Sequence, residues 1–206
     1  MPDLQAARGA SLNTADPTAP RPATGLGRSA TPLVLLVALA AYAVDQVSKH
    51  LAVRELTGRA PVEVVGSFLQ LRLLRNPGAA FSAGASLTPV ISVVALVAAV
   101  VVLVVAFRVR HRGWAVALGF LLAGVVGNLT DRMLRTPGPF RGHVVDFLAL
   151  PHWPVFNVAD ICIDLAGAGF VLLLFRGVHL DGTRSHEHPG ATTSTTTPTT
   201  TTEEAS

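Results

Sequence analysis

Four long apolar segments, separated by shorter polar stretches, divide the chain. They run from about Leu33 to Val53, from Val90 to Phe107, from Trp114 to Asp131 and from Val155 to Phe175. Each approaches the roughly 20 residues that a helix needs to cross about 30 Å of hydrocarbon. Lipid offers no partner to backbone N–H and C=O groups, so such segments span as helices even where valine dominates. The pattern predicts an all-α membrane protein with four transmembrane helices.

The connectors between these helices differ in length and character. Arg54–Thr88 and Arg132–Pro154 are long, whereas "RVRHR" (Arg108–Arg112) is a tight turn. In the first connector, "VEVVGSFLQLRLLRN" combines β-branched residues with partial alternation, which predicts short strands beside the membrane. Four spans place both termini on one side and both long connectors on the other. The density of arginine in the short turn favours a cytoplasmic location for that turn.

Composition agrees with a membrane protein and excludes several other classes. Of the 206 residues, 50% are hydrophobic and 14% are charged, and the mean hydropathy is +0.49. A net charge of +3 is too small and too scattered to indicate a nucleic-acid partner. The single cysteine, Cys162, excludes an internal disulfide and a CxxC metal site.

The two ends of the chain lack any apolar period. Residues 1–30 are rich in Ala, Pro, Thr, Gly and Ser, and residues 178–206 end in a run of threonines. We therefore expect disordered tails on either side of a membrane domain at 31–177. A cleaved signal peptide over Leu33–Val44 is a weaker interpretation, because a long tail precedes it and Asp45 and Lys49 follow it.

Strongly polar residues within and between the spans concentrate at one end of the predicted bundle. Asp45 and Lys49 lie at i and i+4 near the end of the first helix that faces the long connectors. The same end of the bundle carries Asn128, Asp131 and Arg132, then Asn157, Asp160 and Asp164, and, in the connectors, Asn76 and Asp146. Asn and Asp between helices often only form interhelical hydrogen bonds. An aspartate at the bilayer centre costs about 2.5–3.5 kcal/mol, however, so this many polar groups indicate a functional site.

Two carboxylates that meet in a poorly hydrated site are suited to one kind of chemistry. Like charges a few ångströms apart cannot both ionise, so the pKa of one rises and the pair holds a single proton. One member then accepts a proton from water while the other donates one to a carbonyl oxygen, as in aspartic proteases. Spacing alone leaves five candidates: Asp45, Asp131, Asp146, Asp160 and Asp164.

Five short motifs, in this order, carry a family resemblance. They are "DQVSK" (Asp45–Lys49), "NPGAAFS" (Asn76–Ser82), "AGVVGNLTDR" (Ala123–Arg132), "VVDF" (Val144–Phe147) and "FNVAD" (Phe156–Asp160). Together with the four spans they resemble lipoprotein signal peptidase, the bacterial signal peptidase II, over Pro32 to Arg176. One departure is Ala123, where the family often has a glycine.

The resemblance implies a membrane aspartic endopeptidase that removes signal peptides from prolipoproteins, cutting before a cysteine that carries diacylglycerol. It implies Asp146 and Asp160 as the catalytic pair, with Asn76, Asn128, Arg132 and Asn157 lining the site and Asp45 as a supporting acid. From their positions we add Lys49, Gly78 and Asp131 to the supporting or substrate-binding set. Asp164 has no catalytic counterpart in the family. No metal or cofactor is implied. We expect a monomer in contact with membrane lipid, in the bacterial plasma membrane, with the β-rich connector and the site on the extracytoplasmic side and both termini cytoplasmic.

Three alternative interpretations remain for the acidic residues of this set. Asp160 and Asp164, at i and i+4, could hold the divalent cation of a membrane phosphotransferase, but the upstream half of that motif is missing. A zinc site from His143, Asp146 and His152 is a second alternative. A proton-coupled transporter is a third, although the second helix is wholly apolar and offers no polar path across.

Overall fold

A computed structural model describes residues 29–78 and 87–183 of the chain. Within these ranges the elements are α1 (Thr31–Leu56), β1 (Val62–Val65), β2 (Leu69–Asn76), α2 (Thr88–Ala106), α3 (Arg112–Leu134), β3 (Val144–Ala149) and α4 (Val158–Phe175). All four helices are long and apolar enough to cross a membrane. The four predicted spans and the strands of the first connector are thus confirmed. Most of the predicted tails, at 1–28 and 184–206, lies outside the described residues.

Helix α3 is the centre of the bundle and packs against the other three helices. Two of its glycines allow α4 and α1 to approach α3 closely. A Cβ at Gly124 would lie 2.5 Å from the carbonyl oxygen of Ala159 in α4, and one at Gly119 would lie 2.7 Å from Cβ of Val37 in α1. Small residues at such contacts are typical of helix packing in membranes, where close van der Waals contact drives association. Helices α1, α3 and α4 are therefore held at short separations.

The outside of the bundle is apolar and its most polar side chains are buried. Leu36 on α1 and Val94 on α2 are 65% and 61% exposed, whereas Asp45 and Lys49 are 0% exposed. A helix at the surface of a soluble protein has the opposite arrangement, with charges facing outward. This arrangement indicates a protein whose solvent is lipid.

At one end of the bundle, the start of α1 and the segment after α4 contact the short turn between α2 and α3. The hydroxyl of Thr31 donates to the carbonyl of Ala106 at 2.7 Å, and the backbone N–H of Arg110 donates to the carbonyl of Leu180 at 3.1 Å. The start of α1, the α2–α3 turn and the segment after α4 therefore meet at the same end. Both long connectors lie at the other end, as the pattern predicts.

A three-stranded antiparallel sheet, in the order β1-β2-β3, lies at the connector end. Strand β2 pairs with β3 in a register that places Asn76 opposite Val144 and Leu74 opposite Asp146. Strand β3 belongs to the second connector and was not predicted, because a short apolar run in a Pro- and Gly-rich segment shows no clear period. Its pairing with β2 brings the two connectors together.

Candidate active site

The first turn of α4 is fixed by a capping box. The side chain of Asn157 accepts from the backbone N–H of Asp160 at 3.0 Å, and the Asp160 carboxylate accepts from the backbone N–H of Asn157 at 3.0 Å. The helix therefore begins at Val158 rather than at the predicted Val155, because Asn157 serves as its N-cap. The Asp160 carboxylate consequently lies at the positive end of the helix dipole, at the edge of the span.

Strand β3 carries Asp146 to the same place. Its carboxylate accepts from Nδ2 of Asn76 at 3.0 Å and from Nδ2 of Asn157 at 2.6 Å. Asn157 thus contacts both carboxylates, Asp146 through its side chain and Asp160 through its backbone. The structure brings together the two aspartates that the resemblance singles out from the five candidates.

Asn128 on α3 supplies the other donor to Asp160. Its Nδ2 donates to Asp160 at 2.8 Å, and its Oδ1 accepts from Nζ of Lys49 at 3.0 Å and from Nδ2 of Asn157 at 3.2 Å. A lysine ammonium only donates hydrogen bonds, so the amide oxygen of Asn128 has to face it. Lys49 and Asn157 together therefore fix which end of that amide points at Asp160.

Two further carboxylates lie behind the cleft in a buried charge cluster around Lys49. Nζ of Lys49 lies 2.9 Å from Asp45 and 3.0 Å from Asp131. The Asp45 carboxylate also accepts from the backbone N–H of Ala159 at 2.8 Å, one residue before Asp160.

The Asp131 carboxylate pairs with Arg135 and accepts from the backbone N–H of Val145 at 3.2 Å, one residue before Asp146. Each of these acids therefore supports the backbone that presents a cleft aspartate. Spacing gave no signal for this division of roles.

Arg132 approaches the site from the end of α3. It is only 6% exposed, and its Nη2 donates to the carbonyl of Gly78 at 2.8 Å. Within the described residues its Nη1 has no hydrogen-bond partner, although it is buried. The backbone N–H of Gly78 donates to Oδ1 of Asn76 at 3.0 Å, which ties this segment to the end of β2. Arg132 thus offers one unused donor beside the two aspartates.

These groups line a cleft of about 660 Å³ at the connector end. The polar part of its wall comprises Asn76, Gly78, Asn128, Arg132, Asp146, Asp160 and Asp164, and the apolar part comprises Leu74, Val144, Leu150, Trp153, Pro154, Val155 and Phe156. Asp45, Lys49 and Asp131 do not line it. A cleft lined by both polar and apolar side chains suits an amphipathic substrate.

Burial raises the pKa of Asp146 from its ordinary value near 3.8 to about 6. The hydrogen bonds from Asn76 and Asn157 oppose this rise in pKa, and the negative charge of Asp160 adds to it. A carboxyl group with this pKa is half protonated near pH 6, so the pair can hold one proton close to neutral pH. The arrangement suits general acid–base chemistry by two carboxyl groups.

The zinc alternative finds no support in the geometry. Across residues 29–78 and 87–183, no group of three or more His, Cys, Asp or Glu side chains is arranged to hold a metal ion. His143, Asp146 and His152 are therefore not gathered into a ligand set.

Most of the chain is similar in sequence to one family of membrane peptidases. The sequence profile of signal peptidase (SPase) II matches residues 37–176. A lipoprotein signal peptidase from Streptomyces griseus is 43% identical over 159 residues, which cover 77% of this chain and 81% of that protein. A lipoprotein signal peptidase from Rhodococcus jostii is 39% identical over 172 residues, which cover 84% of this chain and 87% of that protein.

Solved structures share the fold. Two structures described as bacterial membrane enzymes, determined by the in meso method at 2.3 and 1.9 Å resolution, each align with a TM-score of 0.62 and 24% identity. They cover 70% of this chain and 88% and 94% of their own chains. The profile match extends over most of the chain, and the named relatives match along most of their length, so the chain belongs to the signal peptidase II family.

Proposed function

We propose that Asp146 and Asp160 are the catalytic pair with which this peptidase removes signal peptides from prolipoproteins, before a diacylglyceryl-bearing cysteine. The supporting observation is that carboxylates from β3 and α4 line one cleft and contact one residue, Asn157. Family membership gives the peptidase activity and the lipoprotein precursor as its substrate class. The pair supplies acid–base chemistry without any cofactor.

The proposed reaction requires one proton shared by the two carboxyl groups. Asp160, the member of the pair that does not carry the shared proton, takes a proton from water as the water oxygen attacks the scissile carbonyl carbon. Asp146, which the rise in its pKa keeps partly protonated, donates its proton to the carbonyl oxygen. The C–N bond then breaks, and the leaving nitrogen takes the proton that Asp160 received from water. The carbonyl re-forms as its hydroxyl proton returns to Asp146.

The remaining polar groups hold the substrate in place. A peptide segment within a helix bundle needs hydrogen-bond partners for its own amides. The unused Nη1 of Arg132 offers a donor for a substrate carbonyl, and it is already fixed by the bond from Nη2 to Gly78. The apolar wall at Trp153 and Val155 suits the acyl chains of the modified cysteine.

The position of the cleft also supports the proposed location. The acyl chains hold the scissile bond near the lipid surface, and the cleft lies at the end of the bundle beside the sheet. We place that end on the extracytoplasmic face of the bacterial plasma membrane. The short turn, with Arg108, Arg110 and Arg112, and both termini then lie in the cytoplasm. One chain supplies every residue of the site, so a monomer in contact with lipid is sufficient.

Cleavage of a synthetic diacylated precursor by the purified protein tests this proposal. Asp146→Asn and Asp160→Asn should each lower kcat by a factor of about 10³ or more, because an amide can neither take up nor release the shared proton. Asp181→Asn, which alters an exposed carboxylate at the other end of the bundle, is the matched control. Normal turnover by either cleft variant rejects the pair, and inhibition by EDTA would indicate a metal-dependent reaction.

A further inference from the structure

Asp164 lines the cleft but takes no part in the proposed chemistry. It lies four residues after Asp160, on the same face of α4 and about 6 Å farther from the connector end, at 1.5 Å per residue. Within residues 29–78 and 87–183 its side chain is exposed and receives no hydrogen bond or ion pair. It is thus a carboxylate open to the cleft, one turn deeper in the span than the catalytic pair.

The surroundings of Asp164 make this position unusual. Among the described residues of the apolar part of the cleft wall, only Trp153 carries a side-chain donor, its indole N–H, and Leu150, Val155 and Phe156 carry none. A carboxylate within a membrane span is costly unless water or a hydrogen-bond donor reaches it. When a substrate fills the cleft and displaces water, Asp164 is left in need of a donor, and a polar group of the substrate can supply it. A site of this kind discriminates strongly against a substrate that lacks the matching group.

The distance along α4 indicates which part of the substrate reaches Asp164. This step rests on the proposed function, in which the scissile bond lies at Asp146 and Asp160. The signal segment enters the membrane, so the residues that precede the modified cysteine lie deeper than the scissile bond. An extended peptide rises about 3.3 Å per residue, so 6 Å corresponds to about two residues.

We infer that Asp164 is a specificity-determining residue that selects precursors with a hydroxyl group, from serine or threonine, on the second residue before the modified cysteine. The hydroxyl donates to the Asp164 carboxylate. Hydrogen bonds to ionised acceptors are roughly twice as strong as those between neutral groups, so the preference is large. A precursor with alanine at that position is still cut, but more slowly, because it leaves the carboxylate without a donor.

The test uses two diacylated precursor peptides that differ only by serine or alanine at that residue. The wild-type protein should show a kcat/KM ratio of about 10 in favour of serine, the value expected for one charge-assisted hydrogen bond. Asp164→Leu should bring the ratio close to 1 while the alanine peptide is still cut. Asp164→Asn keeps an acceptor oxygen and should retain an intermediate ratio. Leu165→Val, on the same turn but outside the cleft lining, should keep the wild-type ratio.

The outcomes distinguish the specificity role of Asp164 from the proposed function. An equal fall for both peptides in Asp164→Leu, or a wild-type ratio near 1, would overturn the specificity role. Turnover of the alanine peptide shows that a variant is folded. Failure of the wild-type protein to cut either peptide would instead reject the proposed function itself.

Discussion

Each cleft aspartate is supported in two ways, through its carboxylate and through its backbone. Amide side chains donate to the carboxylates, while Asp45 and Asp131 accept the backbone N–H groups of the residues just before Asp160 and Asp146. Lys49 pairs with both supporting acids. A single buried ammonium therefore links the two backbone segments that carry the cleft aspartates.

Replacing Lys49 tests this link. Lys49→Met leaves Asp45 and Asp131 buried without their shared partner, and loss of one member of a buried ion pair costs roughly 3–5 kcal/mol. It also removes one of the two donors that hold the amide oxygen of Asn128 away from Asp160, and leaves only Nδ2 of Asn157. We expect a lower Tm together with a fall in kcat. Arg54→Ala removes a pair whose side chains are 72% and 52% exposed, and is the control that should change neither. An unchanged Tm in Lys49→Met would contradict the link.

The pH dependence of kcat reports on the proton held by Asp146. The carboxyl group with a pKa of about 6 is protonated below that pH and ionised above it. If protonated Asp146 donates to the carbonyl, kcat should fall by about a factor of ten per pH unit above pH 6. The hydrogen bond from Asn76 lowers the pKa of Asp146, so Asn76→Ala should move this alkaline limb to higher pH. A limb that stays fixed or moves to lower pH would assign the titration to another group.

At the scale of elements, the contact between α3 and α4 sets the geometry of the site. Asn128 lies one turn beyond Gly124 on α3, and it donates to Asp160 on α4. A Cβ at Gly124 would lie 2.5 Å from the Ala159 carbonyl oxygen and 2.6 Å from Cγ1 of Ile163, so this position admits no side chain without separating the helices.

Gly124→Ala should therefore lower activity without abolishing insertion. A shift of about 1 Å in a catalytic group can cost a factor of 10² in rate, so we expect kcat to fall by about that amount. Gly167→Ala in α4 is the matched control, because a Cβ there meets nothing within 4 Å. Cleavage rates and Tm of the two variants give the comparison. Equal activity would show that helix separation does not control the site.

The elements that could be predicted from sequence are those with a local signal. Long apolar segments give the four spans, and alternation in the first connector gives β1 and β2. The N-cap at Asn157 also has a local signal, an asparagine three residues before Asp160, but it lies inside the apolar segment and was not used. Strand β3, in contrast, depends on its pairing with β2, which is distant in the sequence. For the same reason spacing left five acids as candidates, while the fold separates Asp45 and Asp131 from the cleft.

For the whole molecule, the two ends of the bundle have different tasks. The connector end carries the cleft, and the other end is closed by contacts among the α2–α3 turn, the start of α1 and residues 178–180. The indole N–H of Trp114 donates to the carbonyl of Val178 at 2.9 Å, and the backbone N–H groups of Arg110 and His111 donate to the carbonyl of Leu180 at 3.1 and 3.3 Å. The first residues of the predicted C-terminal tail thus pack against the bundle.

Two truncations separate these contributions. Every residue proposed for the site lies between Asp45 and Asp164, and the family profile ends at residue 176. Removal of residues 184–206 should therefore leave both kcat and Tm unchanged.

Removal from residue 177 onward takes away Val178, which is 6% exposed, and leaves the donors of Arg110, His111 and Trp114 without their acceptors. Each of these hydrogen bonds contributes about 0.5–1.5 kcal/mol, and the buried Val178 side chain is lost as well, so this shorter chain should show a lower Tm. Its KM at temperatures below the transition should stay near the wild-type value, because the cleft lies at the opposite end. Equal Tm values for the two truncated chains would show that residues 177–183 do not close the bundle. Loss of activity in the chain that lacks only residues 184–206 would give those residues a role in cleavage.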